Sequence, residues 1–93
     1  IDMLVQDSTV KSIIIPASCG DIKYLACDCT QLTDIYCYAT NPPRVYILAQ
    51  NIGTGGVLHV PAGCKYEYEH SDWMDSGNQY SLAHYNWTVV EDL

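Results

Sequence analysis

Apolar and polar positions alternate over three short stretches of this chain, and the stretches resemble one another. Val10-Lys11-Ser12-Ile13-Ile14-Ile15-Pro16-Ala17-Ser18-Cys19 returns as Leu32-Thr33-Asp34-Ile35-Tyr36-Cys37-Tyr38, and again as Leu58-His59-Val60-Pro61-Ala62-Gly63-Cys64. The step from Ile13 to Ile35 is 22 and the step from Ile35 to Leu58 is 23, and Ile15, Cys37 and Val60 keep the same steps. A short strand recurring at that interval predicts a solenoid, in which each unit buries its apolar edge against the next. Strands near Ile13–Ile15, Ile35–Cys37 and Leu58–Val60 should therefore pair in parallel. About 20 residues per coil suffice for the crossover that parallel pairing needs.

The connections follow from the turn formers. Residues 1–9 read as the end of a preceding turn, and the stretch from Leu25 to Leu32 as a bend back between strands. Asn41-Pro42-Pro43 cannot continue a ladder, because proline has no amide donor. Gly53-Thr54-Gly55-Gly56 reads as the most flexible stretch, delivering the chain to the third strand at Val57–Val60. After Pro61-Ala62-Gly63 the character changes. In Cys64 to His70, Lys65 and Glu69 are four apart, as are Cys64 and Tyr68, which suits a short helix with one inward face. Trp73, Tyr80, Leu82, Tyr85 and Trp87 follow in a polar, aromatic-rich segment, and Thr88-Val89-Val90 reads as a final strand. The reading is thus one domain over 1–93, a β-rich α+β solenoid of about three coils over 1–63, with 64–93 as a helix and cap covering its end.

At these residues a family resemblance enters. IIIPASCGDI, CTQLTDIYCYATNPP and VLHVPAGCKYEYE resemble the BspA-type leucine-rich repeat of surface proteins from gut and oral Bacteroidetes. Tyr38 to Pro43, Leu58 to Gly63, Tyr68 and Trp73 match the ending of that repeat, and the resemblance covers roughly residues 10–74. It implies stacked leucine-rich-repeat coils with parallel short strands. It also implies a secreted or cell-surface bacterial protein whose role is adhesion or protein binding. The chain departs from the family pattern in having Leu25-Ala26-Cys27 one residue short and in lacking any Phe.

Composition narrows the functions open to such a fold. The 93 residues are 48% hydrophobic and 16% charged, too apolar and too weakly charged for a disordered chain. Lys11, Lys23, Arg44 and Lys65 face eleven acidic residues for a net charge of −7, which disfavours nucleic acid and anionic membranes as partners. No apolar run approaches the roughly 20 residues that span a bilayer, so membrane insertion of this segment is not expected. No signal peptide is visible, and Ile1 in place of an initiator Met suggests upstream sequence removed by processing or design.

Candidate chemistry is sparse. Of the five cysteines, Cys19, Cys29 and Cys37 fall at inward positions and Cys64 opens the inward face of the helix. They read as core thiols, with disulfides between neighbouring coils as the alternative. An odd count would then leave one unpaired. Cys27-Asp28-Cys29 lacks the second pair of a zinc site. His59, His70 and His84 have no local motif placing them beside a cysteine nucleophile. Gly53-Thr54-Gly55-Gly56 lacks the lysine and helix start of a phosphate cradle. Asn86-Trp87-Thr88 is a formal glycosylation acceptor, of little meaning in a bacterial protein. No cofactor motif is found, and a non-enzymatic role is expected.

The surface remains. Strand neighbours point to opposite faces, so Ile14, Tyr36 and His59 should form an outward column, with Ser12, Asp34 and Val57 beside it. Ile14, Tyr36, His59 and Asp34 are the candidate binding residues, for a protein or host-surface ligand. The same stripe could instead pack against the N-terminal segment or a second molecule. Most of the eight tyrosines and two tryptophans should pack in the core and cap, and a minority could serve as sugar-stacking platforms. Three functions stay open: a binding or adhesion module, a structural C-terminal cap of a longer repeat array, and, more weakly, a carbohydrate-binding module.

Overall fold

The computed structural model describes residues 5–93. Among them are six strands: β1 (Ser12–Ile15), β2 (Ile22–Cys27), β3 (Asp34–Cys37), β4 (Val45–Gln50), β5 (Val57–Val60) and β6 (Thr88–Glu91). They lie in two sheets that the chain visits in turn as far as β5. One sheet has the order β1-β3-β5-β6, the other holds β2 and β4, and every strand pairing is parallel. Among the described residues, helical structure is limited to α1 (Lys65–Glu69) and two single 3-10 turns at Asp72–Met74 and Ala83–Tyr85. The result is a small α/β fold with mostly parallel strands and little helix.

The four-stranded sheet follows the alternation in the sequence. Ile13 pairs with Ile35, Ile35 with Leu58, and Leu58 with Val89. These side chains are buried, as are Ile15, Cys37 and Val60 two positions on. The expected parallel pairing is therefore observed, and the inward and outward faces are as read. The last strand, β6, extends this sheet beyond β5 and carries Val89 into the same core.

Two expectations need correction. The stretch from Leu25 to Leu32 is not simply a bend, because its start belongs to β2, and the residues after Pro42-Pro43 form β4. Ile22 pairs with Val45, Tyr24 with Ile47 and Ala26 with Ala49. Val5 joins the far side of β2 through its amide to the Leu25 carbonyl and its carbonyl to the Cys27 amide. In both strands a Leu-Ala pair is buried at consecutive positions, Leu25-Ala26 and Leu48-Ala49, which breaks two-residue periodicity. The Gly53–Gly56 stretch, read as the most flexible, is closely packed at two of its glycines. Gly56 is buried, and a Cβ there would lie 2.5 Å from the Trp87 ring, while one on Gly53 would lie 2.4 Å from the Leu32 carbonyl oxygen. Both glycines are needed for close approach.

The tail locks onto the sheets through buried polar groups. Trp87 donates its indole N–H to the Gly53 carbonyl at 2.7 Å, and Trp73 donates to the Pro43 carbonyl at 2.9 Å. Tyr68, the inward residue of α1, donates its hydroxyl to the Ala39 carbonyl at 2.7 Å. The Cys37 sulfur lies 3.2 Å from the same hydroxyl oxygen, which leaves the thiol as donor to it. Burial pushes the Tyr68 phenol far above its ordinary pKa, so it stays neutral. Among the described residues no buried side-chain nitrogen or oxygen lacks a partner.

A second repeat runs along one corner of the fold. Asp28 and Asn51 directly follow β2 and β4, and both adopt left-handed backbone conformations (φ 58° and 56°), a region that Asp and Asn tolerate best among residues with a Cβ. Asn51 donates its side-chain amide to Asp28 at 2.9 Å, and Gln6 donates to the other Asp28 oxygen at 3.2 Å. These three residues are spaced by 22 and 23, the same steps as the strands.

Candidate functional site

The outer face of the β1-β3-β5-β6 sheet holds every residue proposed from the sequence as a contact. Ile14 pairs in register with Tyr36, and Tyr36 with His59. The column continues to Val90 on β6. Beside it, Ser12, Asp34, Val57 and Thr88 form the parallel row. Ile14 is 64% exposed. Val90 is also exposed, while Tyr36 and His59 are half-buried.

His59 is the most constrained member. Its ring stacks on Tyr36 with centroids 4.3 Å apart and planes 10° from parallel. Its Nε2 lies 2.7 Å from Asp34 Oδ2, and its Nδ1 lies 2.9 and 2.8 Å from the two carboxylate oxygens of Asp92. Both ring nitrogens thus face carboxylates, an arrangement that only the doubly protonated imidazolium can fill with two donors. Burial works to lower the imidazole pKa, but the bonds to Asp34 and Asp92 outweigh it and hold the group above its ordinary value. The Asp34 carboxyl is held below the usual range, first by the Thr33 hydroxyl at 2.7 Å and then by His59.

Structure therefore brings all four candidates together but gives them different access. Ile14 presents its side chain to solvent, whereas only 13% of the His59 side chain is exposed. Asp92 and Val90 belong to the same surface and are absent from the sequence-based set. Thr88-Val89-Val90 is legible as a strand, and its alternation places Val90 outward once β6 is set beside β5. Nothing local points to Asp92, which meets His59 across 33 residues.

Other features offer less. The five cysteines are free thiols, four of them buried and Cys27 half-buried. Burial raises the Cys19 and Cys37 thiols, and burial followed by the Asp28 charge raises Cys27, so none of these three is primed as a thiolate. Among the described residues no group of three or more metal-ligating side chains converges. An open hollow between the turns after β1 and β3 is lined by Asp21, Thr40, Asn41, Pro42 and Arg44. On the other sheet, exposed Tyr24 and Tyr46 meet edge to face at 6.4 Å, and at α1 Tyr66 stacks on His70 at 4.0 Å. No helix is long and apolar enough among the described residues to cross a membrane.

The chain matches no family model, no curated protein and no solved structure.

Proposed function

We propose that this chain is a non-enzymatic leucine-rich-repeat module of the BspA type, secreted or displayed on a bacterial surface, that binds a protein partner in adhesion. The observation that carries the reading is the column Ile14–Tyr36–His59–Val90 on the outer face of a four-stranded parallel sheet. An apolar and aromatic row on a regular sheet suits extended contact better than catalysis. Two further observations support stacked repeat coils. Strand register and the Gln6–Asp28–Asn51 ladder both advance by 22 and then 23. From β1 to β5 the two sheets are fed alternately by the chain.

A second reading, the structural cap of a longer repeat array, is favoured by the tail. Trp73, Leu82 and Trp87 are buried against the strands, as an end-covering unit requires. The weaker carbohydrate reading has the exposed Tyr24–Tyr46 pair in its favour.

The test is capture of the purified chain on immobilised extracellular-matrix proteins and, separately, on host glycans. Saturable binding to a protein should weaken by more than about 1 kcal/mol in Tyr36→Ala. Ile14→Asp is the cleaner variant, because Ile14 is exposed, whereas Tyr36 also carries the His59 ring. Undiminished binding by a folded Ile14→Asp, Tyr36→Ala double variant would remove this face from consideration and leave the cap as the better reading. Binding to glycans alone would favour the carbohydrate module.

A further inference from the structure

The sheet face proposed as the binding surface is bounded at His59 by the chain itself. After β6 the backbone continues as Asp92–Leu93, outside regular structure, and is fastened at two points. Leu93 donates its amide to the Val60 carbonyl at 3.2 Å, and the Asp92 carboxylate grips His59 Nδ1 through both oxygens. No other side-chain bond holds Asp92 among the described residues. We propose that Asp92–Leu93 is a proton-gated strap, closed against the Nδ1 edge of the His59 ring while that ring bridges Asp34 and Asp92 as an imidazolium, and released when the ring loses one proton.

The chemistry decides which side lets go. A neutral imidazole keeps one N–H, and its other nitrogen becomes a lone pair. Two carboxylates cannot both be satisfied, and the one facing the lone pair is repelled. Asp34 is fixed within β3, with its second oxygen bonded to the Thr33 hydroxyl at 2.7 Å. Asp92 has no such support. The remaining proton therefore stays on Nε2 toward Asp34, and the Nδ1 contact with Asp92 breaks. The groups facing the ring are Asp34 and Tyr36 from β3, and Val90, its register partner, with Asp92 from the β6 side. The Glu91 carboxylate turns instead to the Lys65 backbone amide. No lysine or arginine among the described residues pairs with Asp34 or Asp92, so no fixed cation replaces the lost proton. The raised pKa of His59 agrees with this direction, the strap being closed in acid and opening as pH rises. Opening frees the Nδ1 edge of the third member of the column, so pH would change what the surface offers a partner. That consequence rests on the binding reading above, whereas the gate itself does not.

The test uses the free chain, with no partner present. The imidazole of His59 and the amides of Val90 to Leu93 are followed by NMR through a pH titration, together with hydrogen exchange at Leu93 corrected for its intrinsic rate. The Leu93 amide should shift with the His59 midpoint. Its protection should fall about tenfold for each unit by which the His59 pKa differs between closed and open strap. Asp92→Asn should lower that midpoint and leave Leu93 exchanging fast at every pH, with the Ile35 amide still protected as a check on folding. Leu93 protection that ignores the His59 titration, or a midpoint unmoved by Asp92→Asn, overturns the gate. Failure of capture on proteins would sink the binding reading alone, since the titration needs no ligand.

Discussion

Ile14 and Ile35 are the same residue type on neighbouring strands of one sheet, and the structure gives them opposite work. Ile35 is fully buried in the middle of the sheet, between Ile13 and Leu58. Ile35→Ala should cost about 2–5 kcal/mol, the range for truncating a large buried aliphatic side chain. Ile14→Ala should stay within about 0.5 kcal/mol, as for ordinary surface positions. Denaturant melts of the two variants check both, and a larger loss at Ile14 than at Ile35 would mean that the inward and outward faces are exchanged. Gly56 makes a different point. A methyl group there collides with the Trp87 ring, so Gly56→Ala should cost about 1–3 kcal/mol, read from the same melts. The sequence reads this glycine as part of a flexible turn. Only the packing of the Trp87 indole, brought in from far along the chain, reveals it as a contact point.

At the scale of elements, α1 is too short to be stable alone, and its place is set by what Tyr68 reaches. Tyr68→Phe keeps the ring and removes the hydroxyl that ties α1 to Ala39 and Cys37, leaving a buried carbonyl and a buried thiol without their partner. A loss of about 1–3 kcal/mol is expected in thermal or denaturant unfolding. The elements also show how far the sequence could be read. Strands β1, β3 and β5 are legible because each buries alternate residues, the signature of a sheet with one solvated face. Strands β2 and β4 are not, because consecutive Leu-Ala pairs are buried and no alternation appears. A signal does exist, since Leu25-Ala26-Cys27-Asp28 returns as Leu48-Ala49-Gln50-Asn51, one repeat interval later. The column Ile14–Tyr36–His59 follows from the alternation, whereas the closing of His59 by Asp92 depends on β6 lying beside β5. That pairing comes after the much longer step from Leu58 to Val89, outside the repeat interval.

For the molecule as a whole, pH should act on stability through His59 as pH rises, and through Asp34 and Asp28 in acid. His59 has a folded pKa above its ordinary 6.5, so its contribution is fully present below about pH 6.5 and is lost as pH rises through the folded value. Asp34 has a folded pKa below its ordinary 3.8, so its contribution is present above that value and is lost on strong acidification. The stability advantage of wild type over His59→Gln should therefore be largest near about pH 5–6 and shrink toward about pH 9. A difference that stays flat or grows with pH in urea titrations would contradict the assigned sign.

The register between the sheets also shows where the chain length can vary. Ile15 and Cys37 are partners at a step of 22, but Ile22 and Val45 are partners at a step of 23. The additional residue thus lies between β3 and β4, in the corner containing Asn41-Pro42-Pro43, and both sheets absorb it without losing register. That corner is a natural display site. A peptide epitope grafted between Asn41 and Pro42 should leave the melting transition close to wild type, whereas the same graft beside Gly56 should abolish folding.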